Sequence, residues 1–419
     1  MDLEPNHPNE SPTGDSVDSG RSWVVAVAAA ASMFAVFGVA YSFGAFFRAM
    51  SDDFGSSSSA TALVFSLTIS FSFLAGLWTG RWADRVGPRP VVLAGAASLV
   101  VGLVATTLVP NIWLGYLTYG GGVGFAVACG YVPMVACVGG WFDKRRASAL
   151  GVAVAGIGAG TLIASPVAAW LIDLTSWRTT YLIFAAVAGS VMVCVAVVAK
   201  AGPAAVPSPT PKSIRQLMAN WDFTILYAST VLIAMGLFVP FVFLADYAES
   251  QGVARVAAAG LVGLIGGASV VSRLGLGSLA DRIGAIKLYV GSFFLMAAGH
   301  LIWLAAGGSY PILVLYTIVL GIGYGGFIAL SPEVVAQRFG LDGLGGTIGT
   351  LYTAAGIGSL AGPPFAGFLI DGFSYNVAIG FSAVTAALAA AILTLLGRGK
   401  STGSTGHNIP AKSGSDLGA

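Results

Sequence analysis

The sequence is poor in charge. Only 9% of its 419 residues are Asp, Glu, Lys or Arg, whereas soluble domains carry roughly a quarter. With 56% hydrophobic residues and a mean hydropathy of +0.85, the chain cannot cover a water-facing surface with polar groups. The sequence therefore predicts a membrane protein whose main solvent is lipid. The net charge of +2, with no basic run interleaved with aromatics, argues against a nucleic-acid partner.

Residues that carry enzyme chemistry are also scarce. There are three His and three Cys; His7 and His407 lie near the chain ends, and Cys129, Cys137 and Cys194 lie in apolar runs. No nucleophile–base pair or metal-ligand cluster is visible. The Gly-rich stretches lie inside apolar segments rather than between a strand and a helix, which argues against a phosphate loop. The sequence predicts that the chain is not an enzyme, and it predicts no cofactor and no metal.

Long apolar runs, by contrast, are abundant. A helix needs about 20 apolar residues to cross ~30 Å of hydrocarbon. Twelve runs meet this length, near 23–47, 60–80, 90–109, 112–138, 147–171, 178–199, 223–246, 257–280, 286–307, 311–332, 345–370 and 376–397. We therefore predict an all-α membrane protein with twelve transmembrane helices.

The distribution of Lys and Arg predicts the orientation of these helices. Of the 20 basic residues, all but Arg48, Arg178, Arg255 and Arg273 fall on the side of the two chain ends. Because cytosolic loops carry the excess of Lys and Arg, both termini are expected in the cytosol of a multi-pass plasma-membrane protein. Segments 1–22 and 399–419 have the composition of disordered tails, and the first lacks the basic start and apolar core of a signal peptide.

The chain divides into two halves. A Pro-rich, basic stretch at 200–221 reads as a cytosolic linker between six-helix halves at 23–199 and 222–398.

The halves also repeat each other in sequence. GRWADRVG at 80–87 recurs as GSLADRIG at 277–284, an offset of 197 residues (277 − 80). AGIGAGTLIASPVAAWLID at 155–173 recurs as AGIGSLAGPPFAGFLID at 355–371, at an offset of 200 that falls to 198. Two matches near one offset predict pseudo-symmetric halves, which is a standard way to build a secondary transporter.

The first repeated motif predicts a cytosolic gating element. Glycines at its end permit a tight turn, and its aspartates can accept from backbone N–H groups at a neighbouring helix start. Plain positive-inside charge is the alternative explanation. The residues of this candidate gate, with two arginines of a later loop, are Gly80, Asp84, Arg85, Gly87, Arg89, Asp281, Arg282, Arg145 and Arg146.

These motifs resemble known transporters. GRWADRVGPRP resembles the loop between spans two and three of the major facilitator superfamily, and GSLADRIGAIK resembles its weaker copy. WFDKRRASALGVAVAGIGAG at 141–160 is similar to the span-four to span-five junction of the monocarboxylate transporters and their oxalate–formate exchanger relatives. SWRTTYLIF at 176–184, Arg273, and SPEVVAQRFG at 331–340 fit as well. The resemblance implies the major facilitator fold and transport of small carboxylates by alternating access.

The chain departs from these relatives at two places. Animal monocarboxylate carriers have an aspartate one turn before the span-eight arginine and a lysine in span one, where this chain has Ser269 and Tyr41. The oxalate exchangers carry a second cation in span eleven, and residues 351–371 contain none. These departures argue against transport of a dianion and against the animal scheme of proton coupling.

One permanent charge lies inside a predicted span. Placing Arg273 at membrane depth costs at least ~2.5 kcal/mol, and Asp281 is eight residues away, about 12 Å along a helix. Snorkelling or pairing with a backbone carbonyl is one explanation. A substrate site between the halves is the other.

A guanidinium matches a carboxylate in two parallel hydrogen bonds. With no second buried cation, a monocarboxylate such as lactate, pyruvate or another short 2-oxo or 2-hydroxy acid is its natural complement.

Further polar residues are candidates for the same site. Ser269 lies one helical turn before Arg273 and shares its face. Tyr131, Tyr324, Tyr352 and Tyr41 lie at membrane depth, where an unpaired hydroxyl is costly. Simple packing is the alternative explanation for each tyrosine.

Proton coupling has less distinct candidates. Asp246, Glu249 and Glu333 lie near span ends, where each is either a proton carrier or a solvated charge. His300 is the other titratable group within a span, and a single His in an outer helix is typical of packing.

Together these features predict a monomeric secondary active transporter of small monocarboxylates, coupled to protons, that alternates access around Arg273. The alternative is an exchanger or exporter of another organic anion, of the oxalate/formate type or another small acid.

Overall fold

A computed structural model of the protein describes residues 17–203, 214–340 and 343–396, apart from the side chains of Ile214, Gly277, Ser278 and Asp281. Within these ranges the chain is helical and contains no strand. Twelve of its helices, some interrupted, are long and apolar enough to cross a membrane, as the sequence predicts.

The helices have the following bounds. Spans one to six are Gly20–Tyr41 continued by Phe43–Phe54, Ser58–Val86, Pro88–Leu108, Ile112–Trp141, Arg146–Leu174 and Trp177–Val198. A short helix, Ile214–Met218, follows. Spans seven to twelve are Trp221–Leu237 continued by Val239–Ser250, Arg255–Ile283, Ala285–Ala305, Tyr310–Phe339, Leu344–Gly372 and Tyr375–Leu393. Span four contains a π-helical turn at Tyr116–Gly121.

Local sequence explains where several of these helices begin and end. Ser57 and Ser176 accept hydrogen bonds from the N–H groups of the first turns of spans two and six and so cap otherwise unpaired donors. Spans two and eight end at Gly87 and Gly284, whose φ angles are +86° and +98°. Only glycine adopts this backbone easily. The expected tight turns after the repeated motifs are therefore present.

The repeat is visible in the interruptions and packing of the helices as well as in the amino-acid sequence. Span one is interrupted at Ser42 and span seven at Phe238, 196 residues apart (238 − 42), close to the 197-residue offset of the repeated motif. In the first half, span one packs against spans four, five and six, and in the second half span seven packs against spans eleven and twelve. The fold is thus two pseudo-symmetric six-helix halves.

The halves meet along two close helix pairs, span two with eleven and span five with eight. Glycine permits this approach. A Cβ atom added at Gly158 of span five would lie 2.4 Å from the carbonyl oxygen of Gly266 in span eight. At Gly44 an added Cβ would lie 2.6 Å from the carbonyl oxygen of Phe241, which brings spans one and seven together just beyond their interruptions. Small residues at such contacts let backbones touch and move.

We name the two ends of the bundle by the chain ends. The terminal face is the end at which the described chain starts, at Val17, and stops, at Leu396; the other end is the far face. At the far face, Asp371 accepts hydrogen bonds from the N–H groups of Ser58 and Ser59 in the other half, both at 3.3 Å. Asp173, its counterpart in the repeat, pairs with Arg255 at 2.9 Å. The far face is therefore closed by two related contacts between the halves.

The first predicted tail is shorter than expected. Span one starts at Gly20, inside the segment 1–22, because Ser19 and Ser22 form a reciprocal cap at its start. Residues 1–16 and 399–419 lie outside the described residues, as do 204–213 of the predicted linker 200–221.

Candidate functional site

Arg273 lies in span eight, ten residues before the helix ends at Ile283 (283 − 273), or about 15 Å from that end. It is only 8% exposed. Its Nη1 donates to the backbone carbonyl of Val154 in span five, in the other half, at 2.9 Å. Carbonyl pairing, one of the two explanations from the sequence, thus accounts for one of its three nitrogens.

The other edge of the guanidinium is unpaired. Nε and Nη2 of Arg273 are buried and have no hydrogen-bond partner within the described ranges. Buried polar groups in proteins are nearly always hydrogen-bonded. Nε and Nη2 point in parallel, which is the geometry that receives the two oxygens of a carboxylate. This edge of Arg273 is the central feature of the candidate site.

Tyr324 and Tyr41 lie beside this charge. The guanidinium carbon of Arg273 is 5.3 Å from the centre of the Tyr324 ring, an arrangement in which a cation is attracted by the ring face. The Tyr324 hydroxyl is 3.3 Å from that of Tyr41, and either can donate. Since Tyr41 is in span one and Tyr324 in span ten, this hydrogen bond joins the halves at the site.

Aromatic rings surround Tyr41 beside the site. The Tyr41 ring packs against Phe241 with centroids 4.7 Å apart and against Phe37 at 5.3 Å. Phe65 and Phe238 complete the layer around Tyr41. The layer comes from spans one, two and seven. The outer parts of spans one and seven also contact each other just beyond the interruptions, where Gly44 lies against the backbone of Phe241.

Of the remaining predicted site residues, Tyr131 and Tyr352 lie near Arg273, whereas the Ser269 hydroxyl bonds within its own helix. Tyr131 is half-buried, packs edge-on against Phe37 at 5.6 Å and lies within electrostatic range of Arg273. Tyr352 is within the same range, and its ring contacts Phe73 of the other half at 5.8 Å. Ser269 is fully buried and donates to the carbonyl of Gly266 in its own helix at 2.7 Å. The structure therefore brings the four tyrosines together with Arg273, and it engages the Ser269 hydroxyl elsewhere.

Two of the predicted proton-coupling residues lie at the far face, in one polar network. Asp246 is 13% exposed, accepts a hydrogen bond from the Tyr375 hydroxyl and lies 3.9 Å from Arg48 of the other half. Glu249 is 15% exposed and accepts from Arg255 at 3.5 Å. Asp246 is thus part of the contact between the halves, and Glu249 shares Arg255 with Asp173 of the first half.

The other titratable candidates are not near Arg273 in any contact that the structure gives. Glu333 is exposed and accepts from Gln337 of its own helix at 2.8 Å. His300 is fully buried, and its Nδ1 is 2.8 Å from the carbonyl oxygen of Met296. The packing interpretation of His300 agrees with this position.

The repeated motif is on the terminal face. Gly80 packs against Val132 of span four, and the side chains of Asp84, Arg85, Arg89 and Arg282 are exposed. In the part of the chain that the structure describes, Asp84 accepts no hydrogen bond, so the expected contact with a neighbouring helix start is not made in this conformation. The side chain of Asp281 lies outside the described residues.

The loop that carries Arg145 and Arg146 has a partner that the sequence does not predict. The carboxylate of Asp18 accepts from the N–H groups of Lys144 and Arg145, at 3.1 and 3.3 Å. The bond from Lys144 holds the pKa of Asp18 below its usual value, because it favours the charged form. The sequence gives no indication of this contact, because Asp18 lies in a stretch whose Ser, Pro and Gly content indicates disorder.

The far-face network was missed in part as well. Tyr375 contacts Asp246, and Arg48, whose position in the sequence indicates only the orientation of span one, lies beside the same carboxylate. A polar cavity of about 220 Å³ is lined by these groups. No cluster of metal-ligating side chains occurs among the described residues.

Comparison with known sequences supports a single family. The model of the Major Facilitator Superfamily matches residues 28–288 and 226–413. Monocarboxylate transporter 3 of Rattus norvegicus is 31% identical over 374 residues, 84% of this chain and 75% of that protein. Monocarboxylate transporter 4 of the same organism is 28% identical over 93% of this chain and 86% of that protein. Monocarboxylate transporter 11 of Homo sapiens is 30% identical over 84% and 78%.

Solved structures agree on the fold. A crystal structure of the nucleoside transporter NupG superimposes with a TM-score of 0.70 at 14% identity, over 90% of this chain and 99% of that one. A bacterial homologue of the lysosomal transporter Spinster, in an inward-facing and unoccupied conformation, gives a TM-score of 0.69 at 15% identity, over 91% and 98%.

Proposed function

The chain belongs to the major facilitator superfamily and, within it, to the monocarboxylate transporter family, and from this premise we propose that it carries small monocarboxylates such as lactate and pyruvate. It is a multi-pass membrane protein and a transporter, not an enzyme. We place it in the plasma membrane as a monomer, with the terminal face in the cytosol. The excess of Lys and Arg on that side supports this orientation.

The observation that carries the proposal is the unpaired Nε–Nη2 edge of Arg273. In a low-dielectric interior, a single positive charge is neutralised by one carboxylate, whereas a dianion would retain an uncompensated charge. The carboxylate would lie under the aromatic layer around Tyr41, with the Tyr324 and Tyr131 rings at its sides. Ser269 would then act by letting spans five and eight approach rather than through a bond to the substrate.

Alternating access around this site is the proposed mechanism. Contacts between the halves at Asp371, Asp173 and Asp246 hold the far face closed. For the substrate to reach Arg273 from the far face, these contacts and the Tyr41–Tyr324 hydrogen bond must break. Bistable packing between the halves, with glycines at the seam, suits such a rocking motion.

We propose that the substrate moves together with a proton. The positive charge of Arg273 holds a carboxylate tightly. A proton that moves with the substrate compensates part of the charge of this ion pair, so the carboxylate leaves the site more easily. Asp246 is the first candidate carrier, since it is nearly buried and joins the halves, and Glu249 is the second. Glu333 is the third, but its exposure favours a solvated charge.

Uptake into proteoliposomes tests this function. Labelled lactate and pyruvate would be offered with and without an inward proton gradient, to wild type and to Arg273→Ala. We expect gradient-driven uptake that Arg273→Ala abolishes while Asp246→Asn loses only the response to the gradient. Uptake of neither acid, or an Arg273→Ala protein as active as wild type, would overturn the proposal. Gradient-independent exchange with internal lactate would instead identify an exchanger.

A further inference from the structure

The interruption of span one at Ser42 lies next to Tyr41, a residue of the candidate site. The outer part of this span, Phe43–Phe54, begins without a proline, whereas the outer part of span seven has Pro240 in its first turn. Proline fixes the backbone angle φ, and a serine at the interruption imposes no such restriction. The direction of the outer part of span one therefore depends on its contacts with other helices.

One of these contacts is made by the backbone carbonyl of Val39. Val39 lies in the last turn of the inner part of span one, Gly20–Tyr41, where carbonyl groups lack N–H partners in their own helix. It accepts a hydrogen bond from the Ser42 hydroxyl at 2.9 Å and another from the Tyr119 hydroxyl at 3.1 Å. Ser42 belongs to span one itself, whereas Tyr119 ties the interruption to span four.

Tyr119 is presented by an irregular part of span four. It lies in the π-helical turn Tyr116–Gly121, and such turns are rare and frequent at functional sites. The turn is supported from span three, because the Thr106 hydroxyl donates to the Thr118 hydroxyl at 2.9 Å. Tyr119 itself is 0% exposed. Its hydroxyl is thus held in a fixed place against span one.

The ring of Tyr119 contacts the other side of the interruption. It packs against Phe43, the first residue of the outer part, with centroids 5.6 Å apart, and against Tyr181 of span six at 5.4 Å. Tyr181 in turn stacks on Phe46 of the outer part, with centroids 4.0 Å apart. Tyr119 therefore contacts span one both before the interruption, at Val39, and after it, at Phe43.

The interruption is directly connected to the candidate site. Val39 precedes Tyr41 by two residues. The Tyr41 hydroxyl is 3.3 Å from that of Tyr324, whose ring lies 5.3 Å from the guanidinium carbon of Arg273. A change in the backbone at Val39 would therefore turn the Tyr41 side chain relative to this pair.

We propose that Tyr119 is a positioning residue of the transport site. Its hydrogen bond to the Val39 carbonyl fixes the interruption of span one in the direction that places the Tyr41 hydroxyl beside Tyr324. Tyr119 acts through Tyr41 and does not touch the substrate. This role rests on the proposed function, because its effect is measured as lactate affinity.

A positioning role makes a specific prediction about pairs of substitutions. Without the Tyr119 hydroxyl, the Val39 carbonyl keeps the bond from Ser42, so the helix remains, but the interruption loses its tie to span four. Lactate affinity then falls only because the Tyr41 hydroxyl is no longer held in place. In a protein that lacks the Tyr41 hydroxyl, removing that of Tyr119 should have no further effect. Residues that act through one another show such non-additivity.

The test is a double-mutant cycle on lactate affinity, measured by calorimetry with the full-length protein in detergent. The variants are Tyr119→Phe, Tyr41→Phe and the two combined. Tyr116→Phe is the matched control: it removes a hydroxyl from the same π-helical turn that donates to a backbone carbonyl of another helix, that of Ala60 in span two, at 2.9 Å. Melting temperatures are recorded for every variant.

We expect Tyr119→Phe to lower lactate affinity by about fivefold and the double variant to bind lactate as Tyr41→Phe does. Tyr116→Phe should melt below wild type and bind lactate as wild type does. Wild-type affinity in Tyr119→Phe or in Tyr41→Phe, or independent effects that multiply in the double variant, would overturn the inference alone.

Two further outcomes would also count against it. An equal loss of affinity in Tyr116→Phe, or a Tyr119→Phe protein without a cooperative melting transition, would show a general structural role for these hydroxyls in place of positioning. A folded wild-type protein that binds no lactate would overturn the proposed function and this inference together.

Discussion

The hydroxyl groups of Tyr41 and Tyr324 lie 3.3 Å apart and join the two halves of the protein beside Arg273. Tyr324 thus contacts both the proposed anchor of the substrate and the opposite half. A carboxylate that engages Arg273 changes the charge under the Tyr324 ring. We therefore propose that substrate binding and the contact between the halves are linked through this side chain.

Removing the hydroxyl and removing the ring of Tyr324 should have different effects. Tyr324→Phe keeps the ring face over Arg273 and loses the bond to Tyr41, leaving one buried hydroxyl unpaired, at a cost of about 1 kcal/mol in the free energy of unfolding. Tyr324→Leu also loses the cation–π contact, so lactate affinity should fall further, by roughly another fivefold. Thermal unfolding in detergent and calorimetric titration with lactate measure the two effects. Equal lactate affinity in Tyr324→Leu and Tyr324→Phe would contradict a role for the ring.

The seam between spans five and eight should tolerate no added methyl group. In Gly158→Ala the new Cβ would lie 2.4 Å from both the Gly266 carbonyl oxygen and a Val270 methyl, so the helices must separate. Overpacking of this kind costs about 1–3 kcal/mol. Gly151→Ala, in the same helix with nothing within 4 Å of the new atom, is the matched control. We expect a lower melting temperature and lower uptake for Gly158→Ala only, and unchanged uptake in Gly158→Ala would disprove close approach at this seam.

The sequence predicts the helices and the burial of Arg273 within a span well, because both follow from local composition. Twelve apolar runs, a repeated motif and one charge in a span suffice to predict the halves and to single out Arg273. The pairing of Tyr41 with Tyr324 is not predictable in this way, since the two residues are 283 positions apart and lie in different halves. Ser269 shows the converse: its helical face is predicted correctly, but its hydroxyl bonds to Gly266 of its own helix.

Polar residues near the chain ends and at the far face were the least predictable. Composition assigns Asp18 to a tail, although the N–H groups of Lys144 and Arg145 hold its carboxylate. Tyr375 is the first residue of span twelve, and only the fold brings its hydroxyl to Asp246. In both cases the partner is more than 120 residues away in sequence, so no local pattern reveals it.

Neutralising the paired aspartates of the far face should loosen its closure. Asp371→Asn and Asp173→Asn each weaken a contact between the halves, and together they should favour separation by up to about 1 kcal/mol per exposed carboxylate. Spin labels on Asp52→Cys and Gln251→Cys, with the three native cysteines replaced by alanine, report the distance between the far-face ends by pulsed electron resonance. We expect a longer-distance population to grow in the double variant.

Asp53→Asn is the control for this measurement, because the partner of Asp53, Arg178 at 2.6 Å, lies in the same half. An unchanged distance distribution in the double variant, or the same change in Asp53→Asn, would show that these aspartates do not close the far face.

Asp18 should stabilise the protein in a pH-dependent way. Because the Lys144 N–H lowers its pKa in the folded state, the contribution is complete above the unfolded-state value, near 3.8, and is lost as the pH falls through the lower folded-state value. Asp18→Asn should therefore melt below wild type at pH 7, and the difference should shrink as the pH falls below about 4. Asn suits the position, since Asp18 has a φ of +58° and Asn tolerates this backbone.

The control for Asp18 is Asp143→Asn, an exposed neighbour in the same loop. It should melt like wild type at every pH. A constant difference between Asp18→Asn and wild type from pH 7 to pH 3 would mean that the charge of Asp18 does not contribute.

The central claim is that Arg273 holds the carboxylate of the substrate through two parallel donors, and lactate binding to purified Arg273 variants tests it most directly. Arg273→Lys keeps the charge but loses the fork, so its affinity should fall by about tenfold. Arg273→Gln loses the charge, and truncating one partner of a buried pair costs about 2–5 kcal/mol, so calorimetry should detect no binding at concentrations that saturate wild type. An Arg273→Gln protein that melts like wild type and still binds lactate with wild-type affinity would contradict the account.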